Sequence, residues 1–159
     1  MALVRFRQKT KNSEKLYHNK DAVHNLIHYA FEPEKTPHRI WGGIGASIID
    51  ESTAIEHFLK VKEIFRNTKG KQLIHFWVSF ENGEIENLQD YLSVGYEIAD
   101  FFKGQYQVVF ALHENTETYH IHFVVNTVNF ITGKKLRWQK GSWRRLQKYI
   151  TCIMNTRLY

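Results

Sequence analysis

The chain has little of what staples, spans or interrupts a protein. Cys152 is the only cysteine in 159 residues, which excludes a disulfide framework and a cysteine-based zinc site and suits a reducing cytosol. Pro33 and Pro37 are the only prolines. With no Pro/Gly-rich linker, internal repeat or low-complexity tract, residues 1–159 read as one continuous domain. No apolar run approaches the ~18 residues of a membrane span, so no membrane partner is expected. Arg5, Arg7, Lys9 and Lys11 precede no apolar block, so the N-terminus does not read as a secretory signal. Apolar residues at 43% and aromatics at 14% supply a packed core and argue against disorder. These features describe a cytoplasmic globular domain.

Acid is missing where base is abundant. The segment of about 131–159 holds Lys134, Lys135, Arg137, Lys140, Arg144, Arg145, Lys148 and Arg157 and no carboxylate. Residues 1–20 add six cations against Glu14, whereas residues 21–130 carry eight cations against fifteen acids. Basic ends interleaved with Trp138, Trp143 and Tyr149 form an electrostatic footprint for a polyanion, with rings on which unpaired bases stack. The same residues also fit a solvated helix face backed by ordinary core aromatics.

The hydrophobic pattern predicts an α+β fold. Leu3–Arg7 reads as a short strand. Val23, Leu26, Ile27, Ala30 and Phe31 recur at helical spacing in a helix that starts near Leu16 and stops before Pro33. A glycine-rich strand follows at Ile40–Ile49, then a helix through Phe58, Val61 and Phe65 opened by a Thr53/Glu56 capping box. Gln72–Phe80 alternates cleanly, with His75, Trp77 and Ser79 on one face. Asn87 caps a helix reaching Phe102. Gln105–His113 and Tyr119–Asn129 form an antiparallel hairpin, Thr132-Gly133 turns the chain, and Ser142 caps a last helix with Leu146, Tyr149, Ile150 and Ile153 inward. The expected architecture is an antiparallel or mixed sheet of about five strands covered by helices on one face.

The hairpin carries the chemistry. Pairing His113 with His120 sends His113, His120 and His122 to one side of the sheet and sets His122 opposite Ala111, whose small side chain leaves room. Three imidazoles on one side suit a divalent metal; a His-x-His strand is equally readable as a polar edge. His75 shares its strand face with Ser79 and is a supporting residue for that cleft. The remaining histidines read as surface or capping residues. Tyr29 lies about 100° from the centre of its helix's apolar stripe, either open to a ligand or filling the rim of the packing.

At this point the sequence resembles the relaxases of conjugative and mobilisable elements, HUH endonucleases of the MobP-like group, from about Asn25 to Leu136. NLIHYAFEPEKT resembles a first motif in which a tyrosine precedes a Pro-Glu-Lys-Thr stretch. GGIGAS, LIHFWVSF and YQVVFALHENTETYHIHFVVNTVNFITGKKL are similar to the glycine strand, the His-containing strand and the histidine motif, in the same order. The His-x6-His-x-His spacing is the most specific part. The resemblance implies Tyr29 as nucleophile and His113, His120 and His122 as ligands of Mg²⁺ or Mn²⁺. His75, Asn115, Glu117 and Asn126 are candidates for positions behind the ligands, and the acid that assists them is unassigned. Where many members carry an acid two residues after the first ligand, this chain has Asn115, and it is shorter than most members.

The implied activity is nicking of single-stranded DNA at a transfer origin by metal-assisted tyrosine transesterification, with rejoining of ends. Accessory relaxosome proteins and a coupling protein are the implied partners. Lys134, Lys135, Arg137, Arg144 and Arg145 are expected on the DNA backbone, and Trp138 and Trp143 on its bases. Two other readings stand beside this one: a single-tyrosine HUH transposase or rolling-circle initiator using Tyr149, and a non-catalytic DNA-binding accessory module.

Overall fold

The computed structural model describes residues 3–6 and 17–157. Strands and helices alternate up to a final hairpin: β1 (Leu3–Phe6), α1 (Ala22–Ala30), β2 (Trp41–Ile44), α2 (Glu51–Ile64), β3 (Leu73–Ser79), α3 (Leu88–Ala99), a 3-10 turn (Asp100–Phe102), then the hairpin strands β4 (Val108–His113) and β5 (His120–Asn126), and α4 (Lys140–Arg157). The strands form one five-stranded sheet in the order β1-β3-β5-β4-β2, antiparallel throughout. The α+β expectation and the element order hold. The expected start of the first helix at Leu16 lies outside the described residues.

One expectation is corrected: helices cover both faces of the sheet, not one. Alternation divides each central strand between two cores. Ile74, Phe76, Val78, Phe110, Leu112, Ile121 and Phe123 pack with Val94 and Ile98 of α3 and with Leu146 and Ile150 of α4. On the other face Leu73, Val109, Ala111 and Val124 pack with Val23, Leu26 and Ile27 of α1 and Ala54, Ile55 and Phe58 of α2. Ala111 therefore does more than leave room beside His122; with Val109 it is the floor of a second core.

Local chemistry sets the ends. The ring of Phe110 fills the space between β2 and α3, and a Cβ placed on Gly42 or Gly95 would lie 2.0 and 2.2 Å from its atoms. Gly45 has φ +72°, a conformation that L side chains avoid, so β2 stops at Ile44 and the predicted strand does not continue to Ile49. Asp50, not Thr53, caps α2: its carboxylate accepts the Thr53 N–H at 2.7 Å. Asn87 occupies the N-cap of α3 without a side-chain bond to the helix backbone. α4 begins at Lys140, two residues before Ser142, whose hydroxyl accepts the Gln139 N–H at 3.1 Å.

Candidate functional site

The register of the hairpin positions the histidines. His113 pairs with His120 and Ala111 with His122, while Trp77 pairs with His122 from the other side. His75, Trp77, His113, His120 and His122 thus share one face. α1 crosses this face with Ala22, Val23, Leu26, Ile27 and Ala30 buried beneath it. Tyr29 stands off that stripe, 37% exposed, and its ring meets the histidines edge-on. Centroid separations are 5.5 Å to His113, 5.5 Å to His122 and 6.1 Å to His75. Tyr29, His75, His113, His120 and His122 line one cleft of about 390 Å³, together with Asn25, Leu26, Lys35, Trp77, Asn115 and Thr116.

The imidazoles are fixed by packing and hydrogen bonds. His113 and His122 stack with centroids 3.9 Å apart, and Trp77 stacks on His122 at 5.5 Å. His113 Nε2 lies 2.8 Å from the Ala30 carbonyl; a carbonyl only accepts, so Nε2 carries the proton and Nδ1 keeps its lone pair. His75 Nε2 and His122 Nδ1 are 3.1 Å apart, and His120 Nδ1 is 3.3 Å from the Thr116 hydroxyl. Burial pushes His113 down to about 4, against the opposing pull of its Ala30 hydrogen bond. Burial also lowers His120 and, more strongly, His122. All three are neutral near pH 7, the form that donates to a metal or accepts a proton.

Comparison with known proteins bears on this arrangement. The sequence profile of the family described as "Relaxase: MobA/VirD2-like, nuclease domain" matches residues 29–156, from Tyr29 to the end of α4. The chain belongs to this family. It is thereby a relaxase nuclease domain. Among relatives, "Protein rlx" of Staphylococcus aureus is 29% identical over 91 residues, 57% of this chain and 28% of that protein. The chain therefore spans only about a quarter of this relative's length. A solved structure described as "Molecular Basis of Vancomycin Resistance Transfer in Staphylococcus aureus" superposes with a TM-score of 0.53 at 13% identity, over 74% of this chain and 68% of that one. That likeness supports the fold.

Relaxases of this family are typically metal-dependent. Among the described residues no three His, Cys, Asp or Glu side chains are grouped so as to hold a metal ion. The donors fit a divalent cation in kind: His113, His120 and His122 are neutral imidazoles on one face, and each uses one ring nitrogen for a neighbour while the other remains a donor.

Elsewhere the relaxase fold separates residues that the sequence grouped. Asn115 lines the cleft, whereas Glu117 is exposed outside it. Glu114 is held by His38, with Oε1 at 2.9 Å from Nδ1. Asn126 shares the histidines' face but not their company. Its side chain accepts from Lys62 Nζ at 2.7 Å and donates to Gln107 at 2.8 Å and to the Phe58 carbonyl at 3.1 Å. Trp138 and Trp143 pack into the α3/α4 core on the opposite side of the sheet, Trp138 stacked on Phe102 and Trp143 edge-on to Phe76. Both indoles are half-buried, each with one part of its surface against that core.

Tyr149 lies on that opposite side too, donating its hydroxyl to the Glu97 carbonyl at 3.0 Å, with its ring 5.4 Å from that of Phe101. It is remote from the histidines, which removes the geometric basis for its use as nucleophile. Lys135 reaches the Lys71 carbonyl at 3.1 Å, and Arg145 reaches Ser142 at 3.1 Å. Lys134, Arg137 and Arg144 are exposed. None of these five cations lines the cleft. Sequence reasoning missed Lys35 and Trp77 as cleft residues. Trp77 was visible as the neighbour of His75 on the alternating face of β3; Lys35 carried no periodic signal.

Proposed function

We propose that this domain nicks single-stranded DNA at a transfer origin by tyrosine transesterification and rejoins ends afterwards, in conjugative transfer or mobilisation. The observation that carries the reading is the placement of the Tyr29 ring 5.5 Å from both His113 and His122 in one open cleft. A phenol beside three neutral imidazoles is a nucleophile next to metal ligands and proton acceptors. The α1 stripe fixes the helix on the sheet, so the phenol enters the cleft from a rigid element and attack needs little ordering.

The Tyr29 oxygen forms a bond to the scissile phosphorus, and the bond from phosphorus to the 3′ oxygen breaks. The phenolic proton leaves to solvent, and the departing 3′ oxygen takes up a proton. The products are a 5′-phosphotyrosyl link and a free 3′-hydroxyl. No oxidant or nucleotide cofactor enters, and the retained ester makes the reverse reaction accessible. His113, His120 and His122 would hold Mg²⁺ or Mn²⁺, which supplies charge neutralisation at the phosphate when bound. His75 orients His122 through their shared hydrogen bond.

The exposed cations Lys134, Arg137 and Arg144, with Arg145, provide a second electrostatic surface away from the cleft, suited to the backbone of the flanking strand. Accessory proteins of the transfer machinery and a coupling protein are its further partners, in the cytoplasm. The test is denaturing electrophoresis of the protein with end-labelled oligonucleotides from the transfer origin. A covalent protein–DNA band that requires Mn²⁺ or Mg²⁺ and disappears with EDTA is expected. Tight binding with no band under any divalent ion contradicts the reading and favours a DNA-binding accessory role.

A further inference from the structure

The cleft would receive a polyanion, yet its walls are almost free of formal positive charge. Among the described residues, Lys35 is the one Lys or Arg side chain lining it. Three observations set that lysine apart from the exposed cations of the C-terminal segment.

First, it is placed by backbone rather than by chance. The chain leaves α1 in one tight turn in which the Lys35 and Thr36 N–H groups both donate to the Glu32 carbonyl, at 3.0 and 3.1 Å. The buried Thr36 hydroxyl adds a third bond to the same oxygen at 2.9 Å. The Lys35 carbonyl in turn accepts the Glu114 N–H at 2.8 Å, one residue beyond His113. The turn is thus tied both to the helix that carries Tyr29 and to the strand end that carries His113.

Second, the ammonium lies over the nucleophile, with Nζ 5.2 Å from the centroid of the Tyr29 ring, within cation–π range. Third, it is paired in the free protein with the Glu32 carboxylate, three residues earlier, an ion pair that raises Lys35 and keeps it charged. Glu32 itself does not line the cleft, so the ammonium joins a carboxylate at the rim to the cleft's interior.

We propose that Lys35 is a phosphate-binding residue of this cleft, which exchanges the Glu32 carboxylate for a non-bridging oxygen of the phosphodiester brought beside Tyr29. The inference rests on the nuclease reading for the identity of that phosphate, but the site itself is defined by charge and place. The ligand class is a single-stranded nucleic acid backbone, held by one ammonium that contributes a point charge without base preference. Glu32 excludes adventitious anions until a polyanion of higher local charge displaces it.

The test needs no knowledge of the nick site and no cleavage. Binding of a pool of random-sequence single strands is measured in EDTA as a function of salt, for the wild type and for Lys35→Met, Lys35→Arg and Glu32→Gln. Thermal unfolding of each variant checks the fold. A lysine that neutralises one phosphate predicts that Lys35→Met lowers the slope of log K against log salt by about 0.7. Lys35→Arg keeps the wild-type slope, and Glu32→Gln tightens binding because the competing anion is gone. An unchanged slope in Lys35→Met overturns the proposal. So does equal loss in the Met and Arg variants, or weaker binding in Glu32→Gln. Adduct formation by the wild type with Mn²⁺ is scored separately: a Lys35-dependent slope without any adduct rejects the nuclease reading and leaves the phosphate site standing.

Discussion

Replacing Lys62 by methionine removes a titrating amine from the interior and leaves its neighbours satisfied. Lys62 is 2% exposed on α2, and its ammonium donates to the Gln72 carbonyl and to Asn126 Oδ1, each at 2.7 Å. Burial, with the like charge of Lys135 nearby, pushes it from 10.5 down to about 7. Because the folded-state value lies below the unfolded one, the unfolded chain binds the extra proton between about pH 7 and 10.5. The penalty is fully present below pH 7, and stability rises with pH across that window by about 1.4 kcal/mol per unit. Between about pH 8 and 9.5 the wild type should therefore gain on the order of 2 kcal/mol relative to Lys62→Met.

Both acceptors keep a partner in the variant: Gln72 O still receives the Thr127 backbone N–H at 3.4 Å, and Asn126 Oδ1 the Val128 N–H at 3.1 Å. The substitution therefore isolates the titration of the amine rather than creating orphaned carbonyls. Urea unfolding at the two pH values, on both proteins, measures the difference, and groups that titrate in both cancel. Equal pH dependence in wild type and Lys62→Met would refute the assignment of a buried, largely neutral lysine.

Gly42→Ala should destabilise the domain by about 1–3 kcal/mol, because its Cβ meets the Phe110 ring and the core must shift to admit it; the unfolding midpoint in urea reads this. Tyr149→Phe should leave the covalent adduct intact, since Tyr149 lies across the sheet bound to Glu97; loss of adduct in a folded variant would return the nucleophile to α4. Joint substitution of Arg144 and Arg145 by serine should weaken single-strand binding and lower the salt slope by about 1.4, two phosphates' worth; unchanged binding would remove these residues from the DNA interface.

Side-chain alternation made most of the site legible in the sequence. Once His113 and His120 are paired, the face shared by His113, His120, His122 and His75 follows from the two-residue period, and the observed register is the expected one. The position of Tyr29 off the α1 stripe was legible for the same reason at period 3.6. The second core was not. Val109, Ala111 and Val124 are apolar neighbours of histidines on the same face, and the pattern of one strand does not say whether a mixed face lies beneath helices.

Aromatics among cations look alike in a sequence whether the rings turn outward or inward; Trp138 and Trp143 are half-buried against the α3/α4 side of the core. Asn126 misled through its face alone: distance along the strand puts it with Lys62 and Gln107. Lys35 was hidden because its proximity to Tyr29 depends on the tight turn after α1, a backbone path that periodicity does not encode.

The most direct measurement of the central claim is peptide mapping of the covalent product. Wild-type protein is reacted with a transfer-origin oligonucleotide and Mn²⁺, digested with nuclease and protease, and sequenced by mass spectrometry beside Tyr29→Phe. The account predicts a nucleotide mass on the peptide containing Tyr29 and no adduct in the variant. A nucleotide on any other residue, or an adduct that persists in Tyr29→Phe, would contradict it.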